Sequence, residues 1–488
     1  MGDLQVKQRG LFIGNDWSEG SGGSYPIVNP ATEELVGDAP EAGADDIARA
    51  VGAARDAFDG WSRTSPEERS RLLDRAADLV EARRDEFVPL AQAETGSTLT
   101  ASAQLHFGVL VWRLRRYARG ALETRDQALL PQALDGAPGV PGRLLGAVAA
   151  RRPVGVVACI TPYNFPVGGM AGKIGPALAM GNTTVVKPPP QDPLACLLLA
   201  EVLAEAGFPP GVVNVVTGSG PEVGAALVDS PDVDMVSFTG SSAVGAKIAE
   251  AGGRTMKRLL LELGGKGAAL VLDDASVEQA VDVVSVTYSF LSGQGCVLPT
   301  RAIVHRSLHD EFVAALAAKA RTFKVGDPLD ADTVLGPVIS AAQRERIEGL
   351  VQGARDEGAT VVEGGSRPDL GRGFYVAPTL VSGVDPGMTL ARQEAFGPVV
   401  CVIPFDTEDE GIAIANSSQY GLNSYLFSRD AGRAYRIAAR LRSGTVCING
   451  FQSHPEAPFG GFKHSGLGRD GGSFGLDAYS EPQSVVWS

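Results

Sequence analysis

The chain has 488 residues, with 43 lysines and arginines against 57 aspartates and glutamates, a net charge of −14. That length implies more than one domain, and 44% hydrophobic with 20% charged residues is the make-up of a soluble globular protein. The acidic balance argues against nucleic acid or an anionic membrane surface as partner, and no run of eighteen apolar residues offers a membrane span. Five scattered cysteines without a CxxC argue against a disulfide framework or a zinc site. The expected setting is reducing and cytoplasmic. Met1-Gly-Asp-Leu-Gln-Val6 has no apolar region for a signal peptide and no Ser or Thr at position 6 for myristoylation.

In chain order, residues 11–40 are rich in Gly, Pro and Asn and read as short strands and turns. Asp45 to Phe58 reads as a helix with an acidic first turn. Pro66 to Phe87 is a stronger helix. Ser65 suits its cap, Pro66 its first turn, and Leu72, Leu73, Ala76, Leu79 and Val80 recur at helical spacing. Its Arg, Glu and Asp face reads as solvated surface. Leu129–Gly146 carries Pro131, Pro138 and Pro141 among glycines and reads as a hairpin-like excursion. From Val154 strands and helices alternate: Val154–Ile160, Thr184–Lys187, helix Pro193–Ala206, strand Val212–Thr217, helix Glu222–Val228, strand Val233–Thr239, helix Ala243–Ala251. A second series runs from Ala268 to about Ile448, with strand Ala302–His305 and helix Leu308–Phe323. Such alternation predicts an α/β fold with parallel sheets.

The chemistry concentrates in a few segments. Glu262-Leu-Gly-Gly-Lys266 precedes Gly293-Gln-Gly-Cys296, so a carboxylate stands 34 residues before a cysteine in a glycine-rich turn. An ordinary thiol, with a pKa of ~8.5, is only a few per cent thiolate at neutral pH, so a nucleophilic Cys296 needs activation. It also needs an open backbone, which Gly293 and Gly295 suit. In Thr161-Pro-Tyr-Asn164-Phe-Pro, an amide between aromatics and prolines fits an oxyanion donor, although an Asx-turn is the commoner role of a loop asparagine. Phe238-Thr239-Gly240-Ser241-Ser-Ala-Val-Gly245 closes a strand and opens a helix capped by Ser241 or Ser242. Free N–H groups there favour a phosphate, and an ordinary strand–turn–helix has the same pattern. Gly218-Ser-Gly220-Pro-Glu-Val-Gly224 is a second glycine turn after a strand. Lys187 ends a strand and suits a ribose hydroxyl or a phosphate, though most lysines are simply solvated. Cys159, Cys196, Cys401 and Cys447 read as buried structural thiols. The five histidines do not cluster, so no metal site is expected.

Together with Glu394-Ala-Phe396-Gly-Pro398 and Pro458-Phe-Gly-Gly-Phe-Lys-His-Ser-Gly-Leu-Gly468, these segments resemble the aldehyde dehydrogenase superfamily from about Phe12 to Val486. The resemblance implies oxidation of an aldehyde to a carboxylic acid with NAD or NADP. Cys296 would be the nucleophile. The Asn164 amide and the Cys296 N–H would hold the oxyanion, and Glu262 would activate the water that hydrolyses the thioester. Glu394 and Phe396 would hold the nicotinamide ribose, and Gly240, Ser241 and Gly245 the pyrophosphate. Gly220 and Gly224 would lie on the adenine side, with Thr161, Lys187 and Thr239 completing the cofactor site. Asp470, with Lys173, falls where members carry a proton relay. Glu262 speaks against a CoA-acylating relative, and Cys296, Glu262 and Asn164 together speak against a catalytically silent structural member.

The resemblance also implies a division of the chain. Residues 1–124 and 147–262 would form a Rossmann-like dinucleotide-binding domain, and 263–447 a second α/β, catalytic domain. Residues 125–146 and 448–488 would form a small β oligomerisation segment and C-terminal tail of a homodimer or homotetramer. Two departures stand out. Pro190 replaces a carboxylate that many NAD-preferring members place three residues after the lysine matched by Lys187. Its absence leaves NAD as the expected cofactor with NADP tolerated. Gly172, near Gly168 and Gly169, replaces a bulky aromatic. That predicts a roomy tunnel and an uncharged, bulky aldehyde: aromatic, terpenoid or medium-chain.

Overall fold

Val156–Ile160, an apolar run with no exposed residue, forms the middle of the first of two large sheets in the computed structural model. Residues 6–488 are described; Met1–Gln5, most of the stretch read above for a leader or acyl signal, lies outside them. Thr183–Lys187 and then Val213–Val215 pair in parallel on one side of the central strand. The chain then returns to lay Met235–Thr239 and Arg258–Glu262 in parallel on the other. Strands whose residues are buried on both faces need helices above and below, which the alternating sequence supplies. The reversal of strand order opens a crevice between the carboxyl ends of Val156–Ile160 and Met235–Thr239, the usual place for a ligand in such sheets. Leu11–Ile13 and Gly466–Leu467 extend the sheet at opposite sides as antiparallel strands. The helix Pro166–Ala179 is buried along its whole length. It lies against the sheet on one side and the Val109–Ala121 helix on the other.

The second sheet runs Thr360–Glu363, Thr379–Ser382, Val399–Phe405, Arg301–His305, Ala268–Val271, Asn423–Phe427, Thr445–Ile448. All its pairs are parallel except the first. Residues 263–267 connect Glu262, at the carboxyl end of the first sheet, to Ala268, at the amino end of the second. The carboxyl end of Arg258–Glu262 therefore adjoins the amino end of Ala268–Val271, and segments 262–266, 293–296 and 394–398 lie at that seam.

The alternating elements fall within a few residues of their expected bounds, and the fold is mixed α/β as expected. The long helix is not continuous: it breaks at Arg83 into Pro66–Ala82 and Arg84–Thr95. The Arg83 guanidinium pairs with Glu86 and Glu201, and its backbone leaves the helical region. Ser65 does cap the first piece, accepting from the Glu68 N–H. The excursion is a hairpin, Gln127–Leu134 with Arg143–Pro153, and it reaches beyond its expected ends. The C-terminal strand Ser480–Trp487 pairs with Arg143–Pro153 to make a third sheet. The Trp487 indole lies on Gly146, where a Cβ would sit 2.4 Å from it. No described helix is long and apolar enough to cross a membrane.

Candidate active site

Three glycine motifs touch through their backbones. A Cβ on Gly265 would lie 2.2 Å from the Cys296 carbonyl oxygen, and one on Gly293 would lie 2.0 Å from the Gly397 carbonyl carbon. Gly264 is equally close to the Glu394 carboxylate. The segments 262–266, 293–296 and 394–398 thus interlock, and only glycine allows the approach. The loop before the cysteine is unusual in itself: Leu291, Ser292 and Gly293 all have positive φ. It is pinned by Ser292 Oγ donating to the Gly336 carbonyl (2.8 Å) and by the Ile339 N–H donating to Gln294 Oε1 (2.9 Å). Tyr425 Oη donates to the Val297 carbonyl at 2.8 Å.

The Asn164 amide reaches this loop directly. Nδ2 donates to the Gln294 carbonyl at 2.9 Å, two residues before Cys296. The side chain is therefore not spent on an Asx-turn, and it lies buried beside the partly exposed Cys296. Burial pushes the Cys296 thiol up to about 12, and the Glu394 and Glu262 carboxylates push it the same way. Both charged groups acting on the sulfur are anionic, and the Cys296 and Val297 backbone N–H groups act the other way, toward the thiolate. Glu262 is 4% exposed, and neither of its carboxyl oxygens has a protein partner. Burial first, and the Asp470 carboxylate second, hold it well above the usual carboxylate range. Its Oε1 faces Gly460, so the 458–468 segment closes over it. Lys173 donates to Ser237 Oγ at 3.1 Å and forms no ion pair with Glu262 or Asp470. Asp470 accepts instead from the Gly471 N–H at 2.7 Å. No continuous hydrogen-bonded relay joins the three.

The remaining candidates line the crevice. Thr161 is buried with its hydroxyl unpartnered. The Lys187 ammonium donates only to the Pro188 and Gly218 carbonyls, at 3.2 and 3.3 Å. Burial lowers it to about 8, against the opposing charges of Glu41 and Asp192. The helix Ser242–Gly253 is capped by Ser241, which accepts from the Val244 N–H. Ser242 instead donates to the His464 carbonyl. Gly245 lets that helix approach Leu263, with a Cβ position 2.5 Å from the leucine side chain. Thr239 ends the adjoining strand and Gly240 follows it; Gly220 lies on the turn after Val213–Val215 and Gly224 in the first turn of the helix Glu222–Asp229 that follows. Across the seam, Glu394 accepts from the Gly265 N–H at 2.8 Å, and burial raises it to about 7. Phe396 has φ +53° and packs edge-on to Tyr163, ring centres 5.6 Å apart. The buried Lys266 ammonium has no partner. The unpartnered Thr161 hydroxyl and the N-terminus of the Ser242–Gly253 helix, on one crevice, suit a dinucleotide.

The aldehyde dehydrogenase family model matches residues 17–485. The chain belongs to the aldehyde dehydrogenase family. It is similar to the chloroplastic betaine aldehyde dehydrogenase of Beta vulgaris, 39% identical over 99% of this chain and 97% of that one. The mitochondrial aldehyde dehydrogenase of Sus scrofa is also 39% identical, over 98% of this chain and 90% of that one. Among solved structures, an NAD+ complex of the Bacillus cereus aldehyde dehydrogenase superposes with TM-score 0.92 at 37% identity, covering 99% of this chain and 97% of that one. Aldehyde dehydrogenase C of Pseudomonas syringae, a mutant holding NAD+ and octanal, does so with TM-score 0.93 at 39% identity, covering 99% and 98%.

Two residues of this dehydrogenase escaped the sequence reading. The space expected beside Gly172 is filled: a Cβ there would lie 2.0 Å from Arg113 Nη1. That nitrogen donates to the Gly168 carbonyl at 2.7 Å. Pro190 supplies no carboxylate at Lys187, and Glu41 brings one to that lysine from a distant part of the chain. It accepts from the Ser219 N–H at 3.0 and 3.1 Å, and its charge acts on Lys187. Neither residue has a local sequence signal, because each finds its place through a contact remote in the chain.

Proposed function

We propose that this enzyme oxidises an aldehyde to its carboxylic acid with NAD, through a covalent adduct on Cys296 that water hydrolyses. The observation that carries the reading is the hydrogen bond from Asn164 to the loop of Cys296, with an unpartnered Glu262 beside them. Sγ bonds to the carbonyl carbon as its proton passes to solvent at the partly exposed Cys296 and the carbonyl π pair moves onto oxygen. The Asn164 Nδ2 and the Cys296 N–H take the developing oxyanion, a type of contact that contributes ~10²–10³ in rate. Bound NAD would supply the hydride acceptor that turns the thiohemiacetal into a thioester. Glu262, ionised, then takes a proton from water, which attacks the thioester carbon; the carbon–sulfur bond breaks and the acid leaves. Thr161, Lys187, Gly220, Gly224, Thr239, Gly240, Ser241 and Gly245 would hold the adenosine and pyrophosphate. Glu394 and Phe396 would hold the nicotinamide ribose. Glu41 supplies near Lys187 the carboxylate that Pro190 lacks, and it disfavours a 2′-phosphate, so NAD is preferred to NADP.

An uncharged, bulky aldehyde loses its main support, because Arg113 occupies the expected room. A medium-chain aldehyde keeps some, since the octanal-bound relative is 39% identical. The third sheet exposes Leu129, Leu130, Leu144, Val485, Val486 and Trp487. A strip of that size on a soluble enzyme marks a subunit contact, here of a homodimer or homotetramer. The five free cysteines support a reducing compartment, the cytoplasm. Cys296→Ala tests the mechanism. It should lower turnover by about 10³-fold or more while NAD still binds by nucleotide fluorescence. Turnover at the wild-type rate would end the proposal.

A further inference from the structure

The geometry points to Arg113 as an anion-binding residue that selects an aldehyde bearing a carboxylate at its far end. The inference rests on the reading of Cys296 and Asn164 as the reacting pole. Arg113 lies in the Val109–Ala121 helix and extends over Gly172, whose missing side chain is what admits the guanidinium. Gly172 is six residues past Pro166, which opens the helix just after Asn164, about 9 Å along the helix axis. An anion held there would be on the order of 10 Å from an aldehyde carbon at the sulfur.

The charge of Arg113 has no counterpart. On the same helix Arg115 pairs with Asp74, Asp78 and Glu81, and Arg116 with Glu123 and Glu456. Among the described residues no carboxylate lies within ion-pair distance of Arg113. Its one hydrogen bond is to the Gly168 carbonyl, which leaves Nε and Nη2 without a protein acceptor. Those two N–H groups form the fork that grips a carboxylate in two parallel bonds. The other charged groups in its surroundings are Lys173, which it repels, and Asp470, which acts on Lys173 and on Tyr117 beside it. A half-buried guanidinium next to a buried ammonium favours an incoming anion over an apolar chain.

The rival reading makes Arg113 a counter-charge for Asp470 and Glu262. Matched pairs of aldehydes separate the two: n-alkanals and their ω-carboxy analogues of about four to eight carbons, assayed on the full chain with NAD. The wild type should favour the carboxylate form by about tenfold or more in kcat/KM, through KM. In Arg113→Gln the KM of the carboxylate form should rise about 10- to 100-fold, bringing the preference to about one, and Arg113→Lys should recover part of it. Gly172→Ala should lose the preference too, because its Cβ displaces the guanidinium. A direct readout is calorimetric binding of a linear dicarboxylate to Cys296→Ala, lost when Arg113→Gln is added. Equal or better use of the neutral aldehyde by the wild type would overturn the proposal. So would a parallel loss or a parallel pH shift for both substrates in Arg113→Gln, as a counter-charge requires. If no aldehyde is turned over, the Cys296 reading fails and the dicarboxylate titration alone decides on Arg113.

Discussion

Replacing Glu262 by glutamine separates the two halves of the reaction. Its carboxyl group is buried without a hydrogen-bond partner, and both that burial and Asp470 favour the protonated form. Since this acid titrates well above the usual range, the resting enzyme at low pH holds it neutral. The base appears only as pH rises through the raised value, so hydrolysis of the thioester should speed up with pH. A general base contributes typically 10²–10⁴-fold, or about 3–5 kcal/mol of barrier. Glu262→Gln should therefore lower steady-state turnover by about 10²–10⁴-fold yet leave a rapid first turnover, seen in stopped flow as a burst of about one NADH per site followed by slow release. The folded state also holds this proton more tightly than the unfolded chain. That contribution to stability is fully present below the ordinary glutamate pKa and is lost as pH rises through the folded value. The melting temperature of the variant should accordingly gain on the wild type as pH rises. Steady-state turnover within about threefold of wild type, or a burst as slow as the later phase, would refute the assignment of Glu262 as the hydrolytic base.

Glu394, raised to about 7 chiefly by burial, is the expected acceptor for a nicotinamide-ribose hydroxyl. The KM for NAD should fall as pH rises from about 6 to 8, and in Glu394→Gln that dependence should flatten. Glu41→Ala should lower the preference for NAD over NADP by about tenfold, as expected when a close like charge is removed. Nucleotide titrations by fluorescence check this, and an unchanged ratio would remove Glu41 from cofactor selection. Leu130 is 90% exposed on the third sheet. Leu130→Glu should shift the sedimentation coefficient toward that of a smaller assembly without lowering the melting temperature of the subunit.

The parallel strands were legible because each is a short apolar run between turn residues, and burial on both faces demands such runs. The Pro66–Phe87 helix was legible in its apolar spacing and cap, but not in its break, because the break depends on Glu201, 118 residues from Arg83. The Val109–Ala121 helix carries four arginines that mask its apolar face, and it went unread. The same division holds at the site. Cys296, Glu262 and Glu394 sit in glycine motifs whose spacing reflects backbone contact, and such contact restricts sequence strongly. Glu41 meets Ser219 across 178 residues and Arg113 meets Gly168 across 55, with ordinary side chains in ordinary helical or loop settings. Nothing local distinguishes them from solvated charge.

The first sheet takes its antiparallel edge strand, Gly466–Leu467, from near the end of the chain. Tyr479, fully buried, donates to Ser237 Oγ at 2.7 Å, and its carbonyl accepts from Asn182 Nδ2 at 2.9 Å. During synthesis, the half of the molecule that is made first must wait with part of its interior uncovered until residues 466–479 leave the ribosome. At ≈ 5–20 residues per second, the stretch from Ser237 to Tyr479 takes about 10 to 50 seconds. Nascent chains of this protein should therefore depend on chaperones over that interval, and a stop codon before Tyr479 should yield aggregate rather than a smaller active enzyme.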